Sequence, residues 1–300
     1  PGFNLVRNVS VMGHAGSGHA SHAEVIYQSC RVPQSNLLGP EGEFNESVGY
    51  SSSMRLPAQY FAALRYHTRG ADNTLADERF GNACRWIMYQ TVAPGRVVPF
   101  GDSHLTAPPA TSAFSAIAPA AQDPVLQWFY LQNADIARME VPEIALLTFD
   151  DRIEPLSPEV RMPHGRAWDA FGALISSRTA WEPWDRGVRC TVHSKAGIER
   201  AHEHHDAGQV IINGFGERLI VDLGSPAGGY PGDYGGDTRW KYYNASSWGH
   251  NVLNVGRGEM QAERDTQGEV LASFDDDLGG AWRMDLTCFY PGARSVTRTV

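Results

Sequence analysis

Positions 202 to 206 read His202-Glu203-His204-His205-Asp206, and further on come Asp222 and His250. Three histidines and two acids in five positions is far above chance. Neutral imidazole and carboxylate are good ligands for zinc and similar divalent ions, and an N,N,O set drawn from three different strands is a stable structural or catalytic arrangement. In an extended strand, positions 202, 204 and 206 share one face, so His202 and His204 are expected to project together. The same spacing also occurs on solvated strands that bind nothing, and that reading stays open. A hydrolytic zinc centre is the rival within enzymes, but no HExxH helix is present. The four cysteines, Cys30, Cys84, Cys190 and Cys288, are far apart with no CxxC pair. That excludes a cysteine zinc site and a redox motif, and they read as small buried hydrophobes.

The elements that must position this cluster follow a clear order. Residues 1–43 read as short β segments and turns, with Glu24-Val25-Ile26-Tyr27 as a strand. Three amphipathic helices follow, marked by Leu56, Tyr60, Leu64 and His67, by Phe80, Cys84, Ile87 and Met88, and by Val125, Trp128, Phe129 and Gln132. Pro94 to Pro124 has no periodicity and reads as a long loop of the kind that often forms a functional rim. After Glu140 strands are expected throughout. Asn213-Gly214-Phe215-Gly216 closes a hairpin between Gln209–Ile212 and Arg218–Asp222, and Asn251–Val255 reads as a further strand. The run Asp275-Asp276-Asp277 reads as a solvated turn. Helices followed by strands indicate an α+β chain.

The 300 residues are 42% hydrophobic and 20% charged, as in ordinary globular chains. No apolar run is long enough to span a membrane, and no signal-peptide pattern opens the chain. A net charge of -9 argues against nucleic acid as a partner. It leaves room for a local basic groove that could take an acidic polymer.

Two stretches resemble known families. The run NLVRNVSVMGHAGSGHASHAEVIYQSCRVPQSNLLGPEGE is similar to part of the middle β-domain of acyl-CoA dehydrogenases. Nothing after Glu43 resembles that family's helical bundle, which supplies its catalytic carboxylate and much of its flavin site. No flavin function is therefore expected of residues 1–43, although a flavin-dependent dehydrogenase is the alternative they offer. The run AHEHHDAGQVIINGFGERLIVDLGSPAGGY, continued by YYNASSWGHNVLNV, resembles the heparinase II/III-type polysaccharide lyases. Glu46-Ser47-Val48-Gly49-Tyr50 resembles the E-S/T-x-x-Y segment that holds that family's catalytic tyrosine.

The second resemblance implies an α+β multidomain chain: a short β segment over 1–43, part of an α/α toroid over 44–140, and an antiparallel β-sandwich over 141–300. It implies cleavage of uronic-acid polymers, alginate-like or glycosaminoglycan-like, by β-elimination. His204, Asp222 and His250 match the metal ligands, with zinc the expected ion in a mainly structural role. His202 matches the substrate-facing histidine. Tyr50 matches the tyrosine of proton transfer, with a phenol lowered by nearby positive charge, and Tyr234 is a further contributor to leaving-group protonation. The family's uronate-neutralising Asn would fall before Pro1, so toroid and sandwich are both expected to be incomplete. A periplasmic or secreted location follows from the same resemblance. A non-catalytic, metal-containing carbohydrate-binding sandwich is the other class that the cluster allows.

Overall fold

The computed structural model describes residues 3–9, 22–27, 38–134, 141–182, 190–198, 201–232, 236–256, 258–262, 266–276 and 279–300. The chain divides into two compact units, Pro1–Leu37 and Leu38–Val300. In the first, β1 (Phe3–Val9) and β2 (His22–Tyr27) pair antiparallel, Phe3 opposite Tyr27. The strand expected at Glu24–Tyr27 is the larger part of β2.

The second unit opens with helices. A 3-10 turn over Val48–Met54 runs directly into α1 (Arg55–His67), and α2 (Glu78–Tyr89) follows. The carboxylate of Asp77 caps α2 by accepting from the Arg79 backbone N–H at 3.0 Å, satisfying one of the donors that a helix start leaves open. A small hairpin of β3 (Thr91–Ala93) and β4 (Arg96–Val97) leads to α3 (Thr111–Ala121), α4 (Pro124–Asn133) and α5 (Pro142–Thr148). Asp123 caps α4 through Val125 and Leu126, with Pro124 at the first helical position where its missing N–H costs nothing.

Three expectations fail here. The stretch from Pro94 to Pro124 contains α3, every residue of which from Thr111 to Ala120 is buried. A helix buried on all sides has no polar face, so it shows no 3.6-residue alternation to detect. The strands expected after Glu140 begin only after α5, a two-turn helix with Pro142 in its first turn. In α1 the supposed core stripe points outward: Leu56 is 57% and Tyr60 66% exposed, and Ala58 is the buried residue. Periodicity identified the helix, but packing selected the small side chain for the interface.

The sheets follow. β5 (Arg166–Ala167), β6 (Leu174–Arg178), β7 (Cys190–Lys195), β8 (Val210–Gly214) and β9 (Glu217–Ile220) form an antiparallel sheet in sequential order. The β8–β9 hairpin turns at Phe215-Gly216, both with positive φ, as the Gly-rich turn predicts. β10 (Glu269–Asp276), β11 (Gly279–Asp285) and β12 (Thr297–Thr299) form a second antiparallel sheet. Ile175 of β6 and Trp282 and Met284 of β11 belong to one buried cluster with Ala196, Ile198, Met260 and Phe289, so the sheets share a core. A separate core gathers the helices around Trp86, Phe114, Phe129, Trp168 and Trp181. The mixed helix-and-sheet class expected from the element order is what the chain adopts.

Two local expectations are corrected. Asn251–Val255 forms no strand and continues as turn and coil after a 3-10 turn over Ser247–Gly249. Asp275 sits in β10 instead of a solvated turn, accepting from the Gly165 N–H at 2.6 Å and from Ser177 Oγ at 2.9 Å.

Candidate active site

Residues 201–209 are not a strand. His202 has φ +58, in the left-handed region that costs a residue with a Cβ on the order of 1 kcal/mol or more. Tertiary contacts hold it there. The Asp102 N–H donates to the His202 carbonyl at 2.9 Å. Gly101 approaches so closely that an added Cβ would lie 2.5 Å from that same oxygen. The kink breaks the alternation expected of an HxHxD strand, so His202 and His204 do not share a face: His204 is fully buried, whereas the His202 side chain is 38% exposed.

At the surface His202 meets Tyr50. Their rings stack at 3.8 Å between centroids and 12° between planes, although 152 residues separate them. Tyr50 lies in the 3-10 turn before α1, where the sequence placed it. Glu46 completes this group, its Oε2 3.1 Å from His202 Nδ1. The Tyr50 phenol is not lowered, contrary to expectation. Burial raises it first, then the negative charges of Asp102 and Glu46, against the opposing pull of Arg239. Tyr50 is therefore a protonated phenol at neutral pH.

Beneath this pair lies a buried polar layer. His204, Asp222 and His250 each offer a ligand atom, all within 4.8 Å of one another, and all three residues are buried. His204 Nε2 faces the Asp102 carboxylate and the Tyr230 hydroxyl, each at 2.9 Å. The carboxylate accepts the Nε2 proton, so Nδ1 carries the lone pair, and it is buried with no hydrogen-bond partner. His250 donates from Nδ1 to Asp222 Oδ2 at 2.8 Å, which leaves its buried Nε2 equally without a partner. Two buried imidazoles, each with one nitrogen lacking a hydrogen-bond partner, beside the buried carboxylate of Asp222 form a donor set that fits a divalent cation. His202 is outside this set. The three residues come from loops flanking β8 and β9 and from the turn at 247–250, not from three strands.

Charge in this layer is balanced partly within the histidine-acid run itself and partly by Asp102 and by two residues the sequence did not mark, Lys195 and Arg239. Burial pulls the His250 imidazole down, but Asp222 and Asp206 outweigh it and its pKa is raised. Burial pushes Asp206 up, yet Lys195, with Nζ 2.9 Å away, and the two histidines hold it below the usual range. Burial lowers His205 despite its contact with Glu259, and its ring stacks on Trp240 at 3.7 Å. Arg239 bridges Glu203 at 3.1 Å and Asp102 at 3.4 Å.

Tyr234 lies outside the described residues. Tyr230, from the same glycine-rich loop, reaches the site, donating to Asp102 Oδ1 at 2.7 Å. Nothing in its local sequence separates it from Tyr234. Asp102 did carry a signal, since it falls in the aperiodic stretch expected to form a functional rim.

The chain shares its fold with solved structures of the heparinase III kind, and the likeness covers 88% of this chain. The particular structures are a heparan sulfate lyase, HepC, from Pedobacter heparinus, with a TM-score of 0.64 at 13% identity, and heparinase III, with 0.59 at 15%. The chain spans 37% and 38% of those proteins. No family model matches the sequence. A curated protein, acryloyl-CoA reductase (NADH) of Anaerotignum propionicum, is 51% identical over 43 residues, which are 14% of this chain and 10% of that protein. Among the described residues, no helix is long and apolar enough to cross a membrane.

Proposed function

We propose that this chain carries the catalytic centre of a polysaccharide lyase of the heparinase II/III type, cleaving uronic-acid-containing polymers by β-elimination. The observation that carries the reading is the stacked, partly exposed Tyr50–His202 pair, with His202 two residues along the chain from the buried His204 of a His/Asp/His set. The fold shared with heparan sulfate lyases favours a glycosaminoglycan substrate over alginate. The same likeness supports a secreted or periplasmic setting and a helical region that is part of a toroid.

β-Elimination removes the proton on C5 beside the uronate carboxylate. The electrons of that C–H bond form the C4=C5 double bond, and the C4–O bond breaks with its pair going to the leaving oxygen. His202, through the nitrogen not facing Glu46, accepts the C5 proton. Tyr50 is suited to the opposite role: a phenol kept protonated by its surroundings donates to the departing oxygen, and the two residues regain their starting states by exchange with solvent. Tyr234, by resemblance, assists leaving-group protonation. His204, Asp222 and His250 would hold a divalent ion, with zinc favoured by the N,N,O donor set. When bound, that ion supplies positive charge below the cleft and ties together the loops that carry the site.

The test is incubation of the purified protein with heparan sulfate, heparin, hyaluronan, chondroitin sulfate and alginate, following the ultraviolet absorbance of the unsaturated uronate product. Product from at least one polymer is expected. Saturable binding with no unsaturated product would replace this reading with that of a carbohydrate-binding module.

A further inference from the structure

We infer that Glu46 is a positioning residue that selects the tautomer of His202, holding the proton on Nδ1 so that Nε2 is the nitrogen left with the lone pair. The inference rests on the lyase reading for its consequence, but its geometry is independent of it. Neutral imidazole has two tautomers, and which nitrogen carries the proton follows from what the other atoms of the ring face. Glu46 Oε2 lies 3.1 Å from His202 Nδ1, and an ionised carboxylate can only accept. The proton therefore belongs on Nδ1.

The carboxylate is held firmly enough to enforce this choice. The Glu46 backbone pairs with Ala201, the residue before His202, in an isolated parallel bridge, so the two partners are tied through main chain as well as side chain. Ser47 and Val48 follow at 0% exposure and anchor the segment. Four residues after Glu46, Tyr50 covers the His202 ring face, which prevents a ring rotation that would swap the nitrogens. His202 itself is fixed in the left-handed conformation by Gly101 and the Asp102 N–H. Ring plane, backbone and one nitrogen are all constrained, and Glu46 supplies the constraint that distinguishes Nδ1 from Nε2.

The experiment is long-range proton–nitrogen correlation NMR on the full, metal-loaded, nitrogen-15-labelled protein at neutral pH, with His202 assigned by its absence in His202→Ala. The expected wild-type signature is Nδ1 protonated and Nε2 bare. Glu46→Ala should lose this preference and shift His202 toward the Nε2–H form. In the polymer assay its kcat should fall about 10- to 100-fold, as supporting-residue losses typically do, with KM within about twofold. Glu46→Asp should restore part of both. A wild-type spectrum with the proton on Nε2 overturns the inference without any variant, as does Glu46→Ala with tautomer and kcat unchanged. If no polymer gives product, the lyase reading fails while the tautomer measurement still decides the role of Glu46. Circular dichroism confirms that each variant folds.

Discussion

Tyr50 and His202 are ordinary in isolation: one aromatic before a helix, one histidine in a run of three. Their chemistry comes from surroundings that give them opposite tendencies. Burial and two neighbouring carboxylates keep Tyr50 protonated, while Glu46 faces one nitrogen of His202. Under the proposed elimination the other nitrogen would take the proton from carbon as Tyr50 gives one to the leaving oxygen. Tyr50→Phe removes only the hydroxyl and keeps the ring stacked on His202. We expect it to lower kcat on the active polymer by about 10²–10⁴-fold, with thermal stability within about 1 °C of wild type. A loss under about tenfold would remove Tyr50 from the proton-transfer step.

Among the elements, α2 and α3 carry the clearest consequences. The Asp77 cap holds its carboxyl at about 2, first through the hydrogen bond from the Arg79 side chain and then from the Arg79 backbone N–H. Because this folded value is below the roughly 3.9 of an unfolded aspartate, the cap's contribution is fully present above about pH 4. It is lost as pH falls toward 2. Asp77→Ala should cost about 0.5–2 kcal/mol at neutral pH, and urea titrations should show the gap between variant and wild type closing at acid pH. A gap independent of pH would mean that the cap does not act through the charged carboxylate. In α3, Phe114 is fully buried and stacks near Phe129 with ring centroids 4.6 Å apart. Phe114→Ala should cost about 3–5 kcal/mol. A loss under about 1 kcal/mol would show that α3 is not the packed centre of the helical layer.

On the scale of the whole molecule, the His204–Asp222–His250 set joins loops that lie 18 and 28 positions apart in the chain. A cation bound only by the folded state stabilises it by mass action, about 4 kcal/mol at a thousandfold excess over Kd. Chelation should therefore lower the melting temperature by several degrees, at roughly 2–4 °C per kcal/mol for a domain of this size. His204→Ala should bring the same loss and abolish stoichiometric zinc in elemental analysis. Purified protein with no bound metal, and a melting temperature indifferent to chelator, would leave the His250–Asp222 contact as a plain buried ion pair.

The sequence by itself determined which chemistry was available and in what order the elements come. Imidazoles, carboxylates and a tyrosine at these positions are covalent facts, and helix periodicity over 78–89 and 124–133 or the Gly-rich turn at 215–216 depends on near neighbours alone. It also named His204, Asp222 and His250 together, through a resemblance that spacing supported, and these three buried side chains do lie side by side in the structure. What it could not contain was the outcome of long-range packing. The left-handed φ of His202 exists because Gly101 and Asp102 press on its carbonyl from a loop a hundred residues away. The complete burial of α3 erased the pattern by which helices are recognised. The raised phenol of Tyr50 reflects burial first, and then the charges of Asp102 and of Glu46; burial and the approach of Asp102 exist only once the chain has folded. Placing Tyr230 beside His204 likewise required the distance to be set by tertiary structure, because flanking residues carry no information about separation in space.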